Sequence, residues 1–123
     1  HLVSGPGLVH LWEYFRQRLS LEAHPTPTDL GAWLVENADE HVLASAVCGT
    51  FRRALIDATV VLARRWEVQR VVFMGGVIEG WSDHLEGAGA WEEIEARAGC
   101  TVGLIRHPYP GLLGAGYVGL SLL

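Results

Sequence analysis

Apolar residues recur along this chain in two periods. Leu8, Leu11, Trp12, Phe15 and Leu19 fall at helical spacing, while His10, Glu13, Arg16 and Gln17 take the opposite face. Pro6 and Gly7 stand just ahead of that helix, in a Ser4–Leu8 turn cluster where Ser4 is placed to cap it. A polar, proline-bearing connector runs from Ser20 to Pro27. Thr28 then reads as an N-cap with Asp29 in the first turn, opening a short helix with Leu30, Trp33 and Leu34 on its apolar face. Asp39 is expected to cap a third, long helix whose stripe is Leu43, Val47, Phe51, Ala54, Leu55, Ala58, Leu62 and Trp66. Gly49 sits inside it at a cost of about 1 kcal/mol relative to Ala, which predicts close packing against a neighbour. Arg52, Arg53, Asp57, Arg64 and Arg65 read as a solvated face of that helix.

The period changes at Arg70. Val71 to Met74 is an uninterrupted apolar run and predicts a short strand buried on both faces. Gly75 and Gly76 follow directly, so the strand is expected to end in a turn of bare backbone; taken alone the pair reads as a plain turn after a core strand, although the carboxyl end of a strand is also where open α/β sheets bind ligands. Glu79 to Asp83 and a glycine-rich loop through Gly89 lead to a short acidic helix, Trp91 to Ala98, with Trp91 and Ile94 inward and Gly99 as its stop. Thr101 to Ile105 predicts a second strand. His107-Pro-Tyr-Pro110 is a rigid loop, and Gly111 to Leu123 reads as a last helix of small residues. Helices alternating with strands imply an α/β architecture with parallel crossovers.

The chain has 123 residues, half of them hydrophobic, enough for one small domain or one lobe of a larger fold. A net charge of −5 argues against a nucleic-acid footprint, and no apolar run is long enough for a bilayer span, so neither nucleic acid nor membrane is an expected partner. All nine basic residues are Arg. Cys48 and Cys100 lie far apart and form no metal-type pair, which reads as two buried reduced thiols in a cytoplasmic protein.

Catalytic constellations are missing. Ser4 is not in a Gly-x-Ser-x-Gly elbow, and Gly5-Pro-Gly7 is neither a Walker loop nor a dinucleotide fingerprint, because His10 stands where a third Gly belongs. His10 and Glu13 share a helix face without forming a metal set. Glu92 and Glu93 lie on an exposed helix. No residue is expected to be catalytic or to bind metal.

Three glycine-bearing junctions remain, and their order resembles the carboxyl-terminal part of bacterial glucokinases, ATP-dependent hexose kinases of the actin-like ATPase superfamily. Val3-Ser-Gly-Pro-Gly-Leu-Val9 is similar to the segment that opens a helix in that family. Val72-Phe-Met-Gly-Gly-Val77 is similar to its strand ending in Gly-Gly, and Pro110-Gly-Leu-Leu-Gly-Ala-Gly116 to the start of its last helix. The resemblance implies that residues 1–123 are part of the carboxyl-terminal lobe of an actin-like (ribonuclease H-like) fold, with long helices around a few parallel strands and the amino-terminal lobe absent. It implies an ATP- and Mg2+-dependent parent that phosphorylates the 6-hydroxyl of glucose, and is compatible with a homodimer. Gly75 and Gly76 would form the adenosine motif, with Ser4, Gly5 and Gly7 near the nucleotide cleft. The segment between Val77 and Thr101 is shorter than in the family. Its Asp-x-Gly-Gly-Thr phosphate hairpin, Asn-Asp pair and Glu-x-x-His sugar contacts are absent, so the chain alone is expected to be inactive. Another sugar kinase of the superfamily, or a non-catalytic binding module that kept the fold, are the alternatives.

Overall fold

The computed structural model describes residues 5–104 and 116–121. In chain order it contains helices α1 (Gly5–Arg18), α2 (Leu30–Glu36) and α3 (Val42–Arg65), strand β1 (Arg70–Gly75), helices α4 (Gly76–Gly87) and α5 (Ala90–Ala98), and strands β2 (Thr101–Leu104) and β3 (Gly116–Ser121). Helix and strand are mixed as an α/β reading requires.

The sheet has three strands in the order β2-β1-β3. β1 and β2 are parallel, Val71 opposite Val102 and Phe73 opposite Leu104, and the α4–α5 pair forms the crossover between them. β3 is antiparallel to β1, with Val71 opposite Leu120 and Gly75 opposite Gly116. This corrects the expected last helix. Gly116 and Gly119 weaken a helix by about 1 kcal/mol each, while Tyr117 and Val118 favour a strand, and the otherwise open edge of β1 supplies the ladder. The His107–Pro110 loop and residues 111–115 and 122–123 of that predicted helix lie outside the described residues.

Most of the core gathers around α3. Phe51, Leu55 and Ile56 pack in one cluster with Trp12 of α1, Leu34 of α2 and Ile78 and Trp81 of α4. The predicted face of α1 holds for Leu8, Leu11 and Trp12, but Leu19 falls beyond the helix and is exposed. The polar face of α1 does more than meet solvent: Arg16 donates from Nη1 to the His24 carbonyl at 2.7 Å and pins the connector, as Trp12 Nε1 does by donating to Thr26 Oγ1 at 3.0 Å. The α3 stripe follows the prediction as far as Leu55 and then diverges. Ile56, Thr59, Val60 and Ala63 turn inward, whereas Ala58, Leu62 and Trp66 face solvent.

Both helix caps sit later than the pattern placed them. Asp29, not Thr28, caps α2 by accepting from the Ala32 N–H at 3.2 Å. His41, not Asp39, caps α3: its Nδ1 accepts from the Leu43 N–H at 3.1 Å. The predicted solvated face of α3 is partly an interhelical ion network. Arg53 pairs with Glu93 of α5, and Arg97 of α5 reaches both Asp57 and Glu93 at 2.9 Å. Gly49 does not mark close packing, since a Cβ there would meet nothing within 4 Å.

β1 alternates where burial on both faces was expected. Val71 and Phe73 are fully buried, and Val72 between them is half-buried. The segment after Gly76, with no element assigned as far as Asp83 and a glycine-rich loop expected beyond it, is helix α4 with Ile78, Trp81, Ser82 and Leu85 buried along one side. Helix α5 and its stop match the expectation: Ile94 is buried, Trp91 half-buried, and Gly99 takes a left-handed φ of 68° while its N–H donates to the Glu95 carbonyl.

Candidate functional site

Two places in the fold combine special backbone or side-chain chemistry. The first is the junction of β1 and α4. Gly75 is the last residue of the strand and Gly76 the first of the helix, so the expected turn between them does not exist. Gly75 is not bare backbone either, because it stands opposite Gly116 in the antiparallel ladder. What the junction presents is a helix start at the carboxyl end of the central strand of the sheet. There the first N–H groups of the helix lack intrahelical partners and the helix dipole is positive, a setting that suits an anionic group. Gly5 and Gly7 lie in the first turn of α1, not in a free turn, and Gly7 is buried. Ser4 lies outside the described residues. α1 packs on α2 and α3, and α4 packs on α2, α5 and the sheet and touches α3 through Trp81 and Phe51, so α2 and α3 both neighbour the two glycine segments.

The second place was not singled out from the sequence. A cleft of about 380 Å³ is lined by Asp39, Arg52, Asp83, His84, Gly87 and Ala88. These come from the turn before α3, from α3 itself, and from the end of α4. Arg52 makes no hydrogen bond or ion pair within 4.0 Å among the described residues, although two carboxylates line the same cleft. His84 is half-buried, its ring edge-on to Trp81 at 5.8 Å, and its Nε2 is buried with no hydrogen-bond partner. Burial holds its imidazole below the usual histidine range, and the Arg52 charge pushes the same way against Asp39. The signal for this cleft was hidden because its residues are spread over nearly fifty positions and belong to one surface only once α4 is helical.

The thiols are inert by environment. Cys48 is buried, donates to the Leu34 carbonyl at 3.4 Å, and its pKa is pushed up to about 12 by desolvation. Burial, and then the Glu95 charge, also raise that of Cys100, and neither cysteine is in a disulfide. Among the described residues no group of three or more His, Cys, Asp or Glu side chains is placed to hold a metal ion. No described helix is long and apolar enough to cross a membrane.

No protein-family model, characterised protein or solved structure matches the chain.

Proposed function

We propose that the chain is the carboxyl-terminal segment of an ATP-dependent sugar kinase similar to the bacterial glucokinases, and that it forms part of the wall against which adenosine packs. One observation carries the reading: the Gly75-Gly76 pair of the family-like motif falls where the central strand β1 passes directly into α4. A β-strand that ends at a helix start is a recurrent place for nucleotides in α/β sheets, and the absence of a Cβ lets a base or ribose approach the backbone. ATP would bring Mg2+ with it, and glucose would be held by parts of the parent not represented among these residues. The chain on its own would then bind an adenine nucleotide weakly and turn over no sugar.

Titration calorimetry of the chain with ATP, ADP and glucose tests the reading. Saturable binding of the nucleotides, weakened more than about tenfold (1.4 kcal/mol) by Gly76→Val in a variant that keeps its circular dichroism spectrum, is the expected result. Nucleotide affinity unchanged in the folded variant overturns the adenosine role. Phosphorylation of glucose by the isolated chain in a coupled assay overturns the segment reading.

A further inference from the structure

The Asp39–Arg52–Asp83–His84 cleft lies away from the proposed nucleotide junction. Gly76 opens α4 and Gly87 closes it, a separation of about 16 Å along a helix of that length. Its size falls in the range of small-molecule sites, and charged groups converge on it from three separate elements. Their pairing is unusual. Arg52 shares the cleft with two carboxylates, yet it closes no ion pair with either Asp39 or Asp83 among the described residues. Both signs of charge are therefore left available in one concave space.

We infer that this cleft binds a small zwitterion, a free amino acid or similar amino-carboxylate, with its carboxylate on Arg52 and its ammonium toward Asp83 and Asp39. Charge complementarity selects that class. The lining carries one positive and two negative side chains around a neutral imidazole, so a dianion such as phosphate meets net repulsion and a simple cation leaves Arg52 unsatisfied. The ammonium end gains a further contribution, because the cleft includes the last turn of α4, where carbonyls and the negative end of the helix dipole favour cations. A planar guanidinium matches a carboxylate with two parallel hydrogen bonds, which fixes the ligand's orientation. His84 lines the wall and, held below the usual histidine range by burial, keeps the site from gaining a second positive charge at neutral pH.

Nuclear magnetic resonance titration of the chain, read at the His84 ring and the Arg52 side chain, tests the inference. The probes are glycine, L-alanine and L-lysine, with acetate, methylamine, glucose and inorganic phosphate beside them. Saturable shifts at both residues by at least one amino acid, with acetate and methylamine binding at least about tenfold more weakly, are expected. Arg52→Gln and Asp83→Asn should each weaken amino-acid binding by about tenfold or more without disturbing the Phe51 and Trp81 ring signals, which report the core. No saturation by any amino acid up to about 50 mM overturns the inference. So does undiminished binding in a folded Arg52→Gln variant, or tighter binding of phosphate or glucose than of any amino acid. ATP affinity should be the same in Arg52→Gln and the parent chain, so this site and the nucleotide junction fail or stand separately.

Discussion

The indole of Trp81 meets the ring of Phe51 edge-on, centroids 4.8 Å apart, and both side chains are buried. This contact fastens α4 to α3 and so places the β1–α4 junction against the body of the protein. Trp81→Ala would remove it and leave a large cavity, at a cost of about 3–5 kcal/mol. Trp81→Phe should cost much less. The indole N–H is buried without a hydrogen-bond partner, so phenylalanine sheds an unsatisfied donor while keeping most of the apolar volume. Urea denaturation of the two variants checks the order; equal losses would mean that the ring's packing contributes little.

Two glycines in helical context should respond to alanine with opposite signs. At Gly49, inside α3, an added Cβ meets nothing within 4 Å, so Gly49→Ala should stabilise the chain by about 0.5–1 kcal/mol through helix propensity. Gly99 closes α5 at a φ of +68°, and open space around it does not help, because an alanine pays for the left-handed backbone. Gly99→Ala should therefore destabilise by about 1 kcal/mol. Thermal melts of both variants beside the parent give the comparison directly.

His41 contributes to stability as a cap. Its Nδ1 accepts from the Leu43 N–H at the start of the longest helix. His41→Ala should cost about 1 kcal/mol, and His41→Asp or His41→Ser should restore most of it, since each offers an oxygen to the same orphan donor. Loss in all three variants would assign the effect instead to the ring contacts of His41 with His24 and Trp33, at 5.0 and 5.1 Å.

Much of this architecture can be read from residue pattern alone, and the exceptions have physical causes. Helix α5, strand β2 and the Gly99 stop follow from local signals that tertiary contacts do not oppose. Helix α4 was obscured by Gly76, Gly80 and Gly87, which carry turn character. Yet Ile78, Trp81, Ser82 and Leu85 repeat at helical spacing, and burying Trp81 against Phe51 outweighs the propensity cost. Strand β3 depends on a long-range partner, the free edge of β1, which no local window contains. At the candidate sites, the glycine pair was visible and its surroundings were not: the helix begins at once, and Gly75 is committed to the ladder. The cleft around Arg52 was invisible for the same reason as α4, on which two of its polar residues ride.

Stability should fall in two separate steps as the solution is acidified, each traceable to one residue. His84 is held below its ordinary value of 6.5 first by burial and then by the Arg52 charge, with Asp39 opposing; Asp83 lines the same cleft. The unfolded chain therefore takes up this proton at a higher pH than the folded one. Stability is fully present above about 6.5 and declines as pH falls toward the folded-state value. Glu93 is held below its ordinary 4.5, chiefly by hydrogen bonds from Arg53 and Arg97, whose other partner is Asp57. Here too the unfolded state binds the proton first, but the loss begins only below about 4.5, and it should shrink in high salt because the network is exposed. Melting temperatures taken from pH 8 to pH 3 should thus show a plateau, a decline in the histidine range, and a further decline in the carboxylate range. His84→Gln should flatten the upper step and leave the lower one, while Glu93→Gln should do the reverse. An upper step that survives in His84→Gln would show that the burial of His84 is not its cause.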